Sequence, residues 1–305
     1  MDPSRRKFLK AAGAAGTVAI GPSASARAMT AEEEVSLNAK RRGVLVDATK
    51  CIGCRACEAA CAETNGLPGR EETDGPAAFA RRRRMDTRTY TIVNSSKVFG
   101  ASTRERFMKR QCMHCLEPAC ASACLARALD KTPTGPVVYY KARCLGCRYC
   151  MVACPFSIPK YEYESPLPYV KKCTFCADRQ AKGESPACTS VCPSGALQFG
   201  LRDELIDIAH ERIYASGSTY VRHIYGEHEV GGTSWMYITD IPFENLGLPA
   251  DVGTYAYSSL TQASLAAVPF VLTLWPPLLM GLYTFSKRRD EVAASDAHRL
   301  EAHHE

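Results

Sequence analysis

The sequence predicts an α+β fold: two copies of one small cysteine-bearing unit, then an extension, then a single membrane-crossing helix. Three observations predict it. Sixteen cysteines fall into four groups of four with none left over. The groups pair off by sequence, the first matching the third and the second matching the fourth. Toward the C-terminus, the stretch from Val252 to Ser286 carries no charged residue.

The groups are Cys51, Cys54, Cys57 and Cys61; Cys112, Cys115, Cys120 and Cys124; Cys144, Cys147, Cys150 and Cys154; and Cys173, Cys176, Cys188 and Cys192. The third reads CLGCRYCMVACP. That is the C-x-x-C-x-x-C-x-x-x-C-P run of two-cluster bacterial ferredoxins, whose fourth cysteine serves the other cluster. Sixteen thiolates are what four [4Fe–4S] clusters need. The expected fold is therefore a tandem of ferredoxin-like dicluster domains with a C-terminal single transmembrane helix. Disulfides dominate small domains that lack a core, whereas 305 residues at 46% hydrophobic bury a core without staples. A structural four-zinc module is the rival from another class, since C-x-x-C pairs also make zinc sites. Zinc leaves the third and fourth cysteines of each run, and the following proline, unexplained.

Residues 1–28 read as an export signal. Ser4 to Lys10 (SRRKFLK) is a twin-arginine match, an apolar stretch runs from Ala11 to Ile20, and Ala26-Arg27-Ala28 offers a cleavage site. This route carries proteins already folded, which suits clusters built before export. The formal charge of +6 is concentrated there. From Met29 onward 33 basic residues face 31 acidic ones, which gives no basis for nucleic-acid binding. The run Arg81 to Arg84 reads as a solvated loop.

Residues 29–200 form the four-cluster region. Lys50 to Cys61 (KCIGCRACEAAC) matches Arg143 to Cys154 (RCLGCRYCMVAC), and Cys120 to Leu129 (CASACLARAL) matches Cys188 to Leu197 (CTSVCPSGAL). A unit at 44–130 thus recurs at 137–200. Short strands are expected at Val44–Val46, Val137–Tyr140 and Ala196–Phe199. Gly53 and Gly146 permit a tight loop that aims N–H groups at sulfur. Pro155 and Pro193 are expected to open helices leading away from the clusters. Residues 62–111 read as surface loops.

Residues 201–260 read as an extension: an amphipathic helix from Asp203 to Tyr214, then a loop-rich, partner-facing strap. The apolar segment Ala263–Phe285 is long enough to span a bilayer, with Pro269, Pro276 and Pro277 tolerated inside it. Lys287, Arg288 and Arg289 follow it, while no Lys or Arg lies between His223 and Ser286. The positive-inside rule puts the tail at 286–305 in the cytoplasm and the cluster region on the periplasmic side. No catalytic constellation, dinucleotide fingerprint or C-x-x-C-H haem site is present. His114, His298, His303 and His304 read as surface or supporting residues rather than ligands.

Gln111 to Cys115, Gly146 to Phe156, Gly231 to Thr233 and Pro242 to Leu246 carry a family resemblance. The chain resembles the ferredoxin-like β subunits of molybdopterin oxidoreductases and [NiFe] hydrogenases, closest to the hydrogenase-2 type, over most of residues 1–290. The resemblance implies an electron-transfer subunit, not an enzyme by itself. Its partners would be a catalytic subunit, a hydrogenase small subunit by closest likeness, and a quinone-reactive membrane subunit. Subunits of formate dehydrogenase or of a multihaem cytochrome complex are the alternatives. The resemblance also implies the ligand sets. Cys51, Cys54, Cys57 and Cys192 hold one cluster; Cys61, Cys173, Cys176 and Cys188 a second. Cys112, Cys115, Cys120 and Cys154 hold a third; Cys124, Cys144, Cys147 and Cys150 a fourth. Spacing alone leaves pairing of the first group with the second equally open.

Overall fold

The computed structural model describes residues 40–68, 76–98, 104–215 and 217–301. The export signal expected at 1–28 lies outside these residues, as do His303 and His304. In chain order the elements are β1 (Arg42–Asp47), α1 (Ala56–Asn65), β2 (Ile92–Val98), β3 (Arg104–Arg110), α2 (Ala119–Ser122), β4 (Leu129–Lys131), β5 (Val137–Tyr139) and α3 (Tyr149–Ala153). There follow β6 (Lys160–Tyr161), β7 (Val170–Lys171), α4 (Ala177–Ala181), α5 (Ala187–Ser190), β8 (Leu197–Leu201), α6 (Arg202–Tyr214), β9 (Trp235–Ile238) and α7 (Tyr257–Glu301).

β1 is the centre of a three-stranded sheet. It pairs antiparallel with β8, Val44 opposite Phe199, and parallel with β9, Val44 opposite Trp235 and Leu45 opposite Met236. Successive side chains of a strand point to opposite faces, and here each face has its own core. Val44, Val46, Trp235 and Tyr237 pack with Cys57, Cys112, Cys173 and Cys188. Leu45, Met236 and Ile238 pack against Leu205, Ala209 and Ile213 of α6. Those three recur every four residues, so they share one helix stripe. Arg212 near the end of α6 reaches back to Asp47 at 3.3 Å. A further core joins Cys120, Leu129, Val137, Cys150 and Val170 around the β4–β5 pair.

Three expectations are corrected. Residues 62–111 are not only loops: β2 and β3 form an antiparallel pair, Ile92 opposite Arg110, and Ile92, Val93, Met108 and Lys109 are buried. The basic sequence of β3, RERFMKR, disguised a strand whose arginines meet Asp240. Residues 217–251 are not a strap. Ile224, Tyr225, Trp235 to Ile238, Phe243 and Leu246 are buried, and β9 pairs with β1 at one edge of the three-stranded sheet. Pro155 and Pro193 open no helix; they follow the short helices α3 and α5, where the missing N–H helps end a helix.

α7 runs beyond the expected 263–285 at both ends. It is long and apolar enough to cross a membrane by length and composition. Its side chains, including Leu272, Trp275, Leu279 and Phe285, are exposed, and Ser258 near its start bonds Glu117 at 3.2 Å.

Candidate functional site

Two helix contacts gather the cysteines. α1 packs on α5, bringing the first group to the fourth, and α2 packs on α3, bringing the second to the third. Cys51, Cys54, Cys57 and Cys192 line one small cavity. All sixteen thiols are unbridged, and only Cys54 and Cys147 are exposed.

The matched groups repeat a backbone as well as a sequence. Gly53 and Gly146 have φ of 72° and 70°, and Arg55 and Arg148 both have 61°. His114 (48°) matches Phe175 (55°), and Arg127 (47°) matches Gly195 (62°). Left-handed residues turn the chain tightly, and the turns aim amides at sulfur. Ala128 N donates to Cys124 Sγ at 3.2 Å, Phe175 N to Cys173 Sγ at 3.3 Å and Gly146 N to Cys144 Sγ at 3.4 Å. Room is tight: a Cβ on Gly53 would sit 2.6 Å from the Phe107 ring.

Burial pushes these thiols up, Cys51 to about 11 and Cys57 and Cys61 to about 12, and neighbouring sulfurs add to it. For several of them the added influence comes from particular cysteines, Cys188 before Cys51 in the case of Cys57. Cys51 feels Cys192 and Cys54; Cys61 feels Cys188 and Cys176. Cys115 feels Cys154, Cys112 and Cys120. Cys150, raised by burial to about 11, feels Cys124, Cys144 and Cys147. Cys173 feels Cys61 and Cys188, and also Cys112 from across the divide. Soft ligands of this kind select zinc, copper(I) or iron–sulfur clusters. One zinc at about 2.3 Å from each sulfur holds four sulfurs about 3.8 Å apart. Among the described residues no three ligating side chains close to the span of one metal ion. Sixteen unbridged thiols are donors that suit iron–sulfur clusters.

Buried polar groups fit such a centre too. Lys109, His114 and Lys172 are all buried. Lys172 Nζ donates to the carbonyls of Val137 and Cys173, at 2.5 and 3.0 Å. Lys131 Nζ donates to the His114 carbonyl at 2.9 Å, and burial lowers its pKa to about 7. His114 is wholly enclosed, which corrects the surface reading. Its Nδ1 accepts from Val137 N at 2.9 Å, and burial, then Lys172, Lys131 and Lys109, hold it well below the usual histidine range. It is therefore neutral, with the proton on Nε2. That donor and Trp235 Nε1 have no hydrogen-bond partner among the described residues. Both rings pack on Phe175, at 4.9 and 5.6 Å, two residues after Cys173. Unsatisfied buried donors call for an acceptor, and cluster sulfur is one.

Sequence reasoning missed Lys109, Lys131 and Trp235, because no local pattern distinguishes a buried lysine from a solvated one. In the arginine run, where Arg81, Arg82 and Arg84 are exposed as expected, it missed the part-buried Arg83. Arg83 pairs with Glu58 at 2.5 Å and Arg82 donates to the Asn245 carbonyl at 2.9 Å. Arg81 to Arg84 line a cleft that Cys61 also borders.

The description "4Fe-4S dicluster domain" matches residues 103–202, which span the second, third and fourth groups. The hydrogenase-2 operon protein HybA of Escherichia coli O157:H7 is 37% identical over 296 residues, covering 86% of this chain and 89% of that one. The chain belongs to the iron–sulfur subunit family of HybA and the formate dehydrogenases. Within that family, the nitrate-inducible formate dehydrogenase iron–sulfur subunit of Escherichia coli K12 is 34% identical over 246 residues, 75% of this chain and 80% of that one. A protein of Nitratidesulfovibrio vulgaris is 43% identical over 294 residues, 96% of this chain and 79% of that one. This iron–sulfur subunit transfers electrons within an oxidoreductase complex and is not its catalytic component.

Proposed function

We propose that the chain is a membrane-anchored conduit holding four [4Fe–4S] clusters in a tandem of ferredoxin-like units. Cys51, Cys54, Cys57 and Cys192 hold the first cluster, and Cys61, Cys173, Cys176 and Cys188 the second. Cys112, Cys115, Cys120 and Cys154 hold the third, and Cys124, Cys144, Cys147 and Cys150 the fourth. The observation that supports this is the cavity that Cys51, Cys54, Cys57 and Cys192 line together, although Cys192 comes from the far end of the cysteine-bearing region. When bound, the clusters supply one-electron relay. The protein's own part is to hold the sets in file: Cys57 neighbours Cys188, Cys173 neighbours Cys112, and Cys120 neighbours Cys150. Left-handed turns then fix the ligand loops, and buried amides and lysines offset negative charge.

The file runs between a periplasmic catalytic partner and a quinone-reactive membrane subunit. A [NiFe] hydrogenase is the partner we favour, because the likeness to HybA is higher and covers more of the chain than that to the formate dehydrogenase subunit. The twin-arginine match supports export, and the basic Lys287–Arg289 after the apolar helix supports a cytoplasmic tail. Anaerobic purification from membranes tests the reading. A brown protein with about sixteen irons per chain, co-purifying with hydrogenase subunits, is the expected result. A colourless protein sinks the clusters, and co-purifying formate dehydrogenase subunits sink the choice of partner.

A further inference from the structure

Lys109 is a buried cation that no carboxylate neutralises. It is 2% exposed, at the inner end of β3. Its Nζ lies 4.4 Å over the Trp235 ring and donates to Gln111 Oε1 at 2.9 Å. Gln111 is held in turn by Tyr237, Nε2 donating to its hydroxyl at 2.7 Å. Neither the amide nor the ring carries a formal charge. No acid of the described residues forms an ion pair with Nζ; the groups that would act on it most, once they are thiolates, are Cys188, Cys57, Cys173 and Cys61. It also lines the cavity of Cys51, Cys54, Cys57 and Cys192. An ammonium removed from water without a counter-charge is strongly unfavourable. The site therefore demands an anion, and the sulfurs around it belong to two ligand sets.

We propose that Lys109 is the shared counter-ion of the first and second clusters and raises the reduction potential of both. The proposal rests on the ligand sets given above. A reduced cluster carries one more negative charge than an oxidised one, so a fixed cation nearby favours the reduced form. Burial leaves that attraction weakly screened by salt, and charge and hydrogen bonding set such potentials. The third cluster has its own lysines, Lys131 and Lys172. Arg148, in the fourth ligand loop, is exposed and lies over Tyr161 and Tyr163 instead. The third and fourth clusters therefore serve as internal controls.

The test is a redox titration followed by electron paramagnetic resonance, on the purified complex with iron counted. Lys109→Gln removes the charge and keeps a donor; Lys109→Arg keeps the charge. In Lys109→Gln the reduced-to-oxidised ratio of two clusters is expected to fall at least tenfold at a fixed potential, about 59 mV for a one-electron couple. The other two clusters stay put, and Lys109→Arg stays near the parent. If Lys109→Gln fails to load iron, normal loading and potentials in Lys109→Arg still show that the charge is what the site needs. Four loaded clusters with unmoved potentials in Lys109→Gln overturn the proposal, as does failure of both variants to load. A parent protein without iron would instead overturn the ligand sets.

Discussion

Glu58 and Arg83 form an ion pair across 25 residues of sequence, Arg83 Nη2 donating to Glu58 Oε1 at 2.5 Å. Glu58 lies between two cluster ligands, Cys57 and Cys61, and only 6% of its side chain is exposed. Its oxygens also accept from Arg55 Nη2 at 3.0 Å and from Val93 N at 2.5 Å. One carboxylate thus ties the first ligand loop to α1, to the arginine run and to β2.

Glu58→Ala takes the carboxylate away from Arg55, Arg83 and the Val93 amide. Removing one partner of a buried pair costs about 3–5 kcal/mol, and Arg83, partly exposed, brings the expectation to the lower end. Urea unfolding of the purified subunit should show a loss of about 3 kcal/mol. A loss below about 1 kcal/mol would mean that water replaces the carboxylate without difficulty.

The pairing of Glu58 with the arginine run shows where the sequence was legible and where it was not. The four cysteine groups, the strand at Val44–Val46 and the stripe Leu205, Ala209, Ile213 were readable because spacing and period are local. The burial of Lys109 and the pairing of β9 with β1 were not. Both depend on which strand lies beside β1, and a parallel partner from about 190 residues away leaves no local trace. Arg83 looked as solvated as Arg81, Arg82 and Arg84 because its partner, Glu58, is remote in sequence.

Asp240 gives a pH-dependent contribution of known sign. Burial raises its pKa, but the bonds from Arg106, Nη2 to Oδ2 at 2.6 Å and Nε to Oδ1 at 2.8 Å, outweigh it and leave the pKa lowered. A carboxylate with a lowered folded pKa stabilises fully above the unfolded value, about 3.9, and loses that contribution as pH falls through the folded one. Arg106 is partly exposed, so screening reduces the effect. Asp240→Asn should cost about 1–2 kcal/mol at pH 7. The gap to the parent should close below about pH 4. A constant gap down to pH 3 would assign the loss to packing rather than charge.

Two glycines separate strain from crowding. Gly53 (φ 72°) and Gly66 (φ 59°) are both left-handed, yet a Cβ on Gly53 meets Phe107 at 2.6 Å and one on Gly66 meets nothing within 4 Å. Gly66→Ala carries the conformational cost alone, about 1 kcal/mol. Gly53→Ala adds displacement of Phe107 beside the first ligand loop, for about 2–3 kcal/mol in all, and is expected to lower iron occupancy. Equal losses in the two variants would show that Phe107 moves freely.

Deleting residues 261–305 removes most of α7 and no cysteine, since the last ligand is Cys192. The truncated chain is expected in the soluble fraction with its iron content unchanged and its coupling to quinone lost. Retention in the membrane fraction after a salt wash would mean that a partner, not this helix, holds the chain there. Loss of iron would make the helix part of the cluster fold.

Cys192→Ser tests the ligand sets most directly. Cys192 borders the same cavity as Cys51, Cys54 and Cys57, although it is about 135 residues or more from each of them. Serine oxygen is a harder, poorer ligand for cluster iron than thiolate, so one cluster should be damaged or lose an iron. Electron paramagnetic resonance identifies which. Cys192→Ser and Cys51→Ser are expected to alter one and the same signal. Cys120→Ser, at a thiol that Cys112 and Cys154 influence most among the sulfurs, should alter another. If Cys192→Ser and Cys120→Ser perturbed a single cluster, the fourth group would pair with the second. The order in which electrons pass through the chain would then change with it, because the influence of Cys112 on Cys173 would lie within a pair rather than between two.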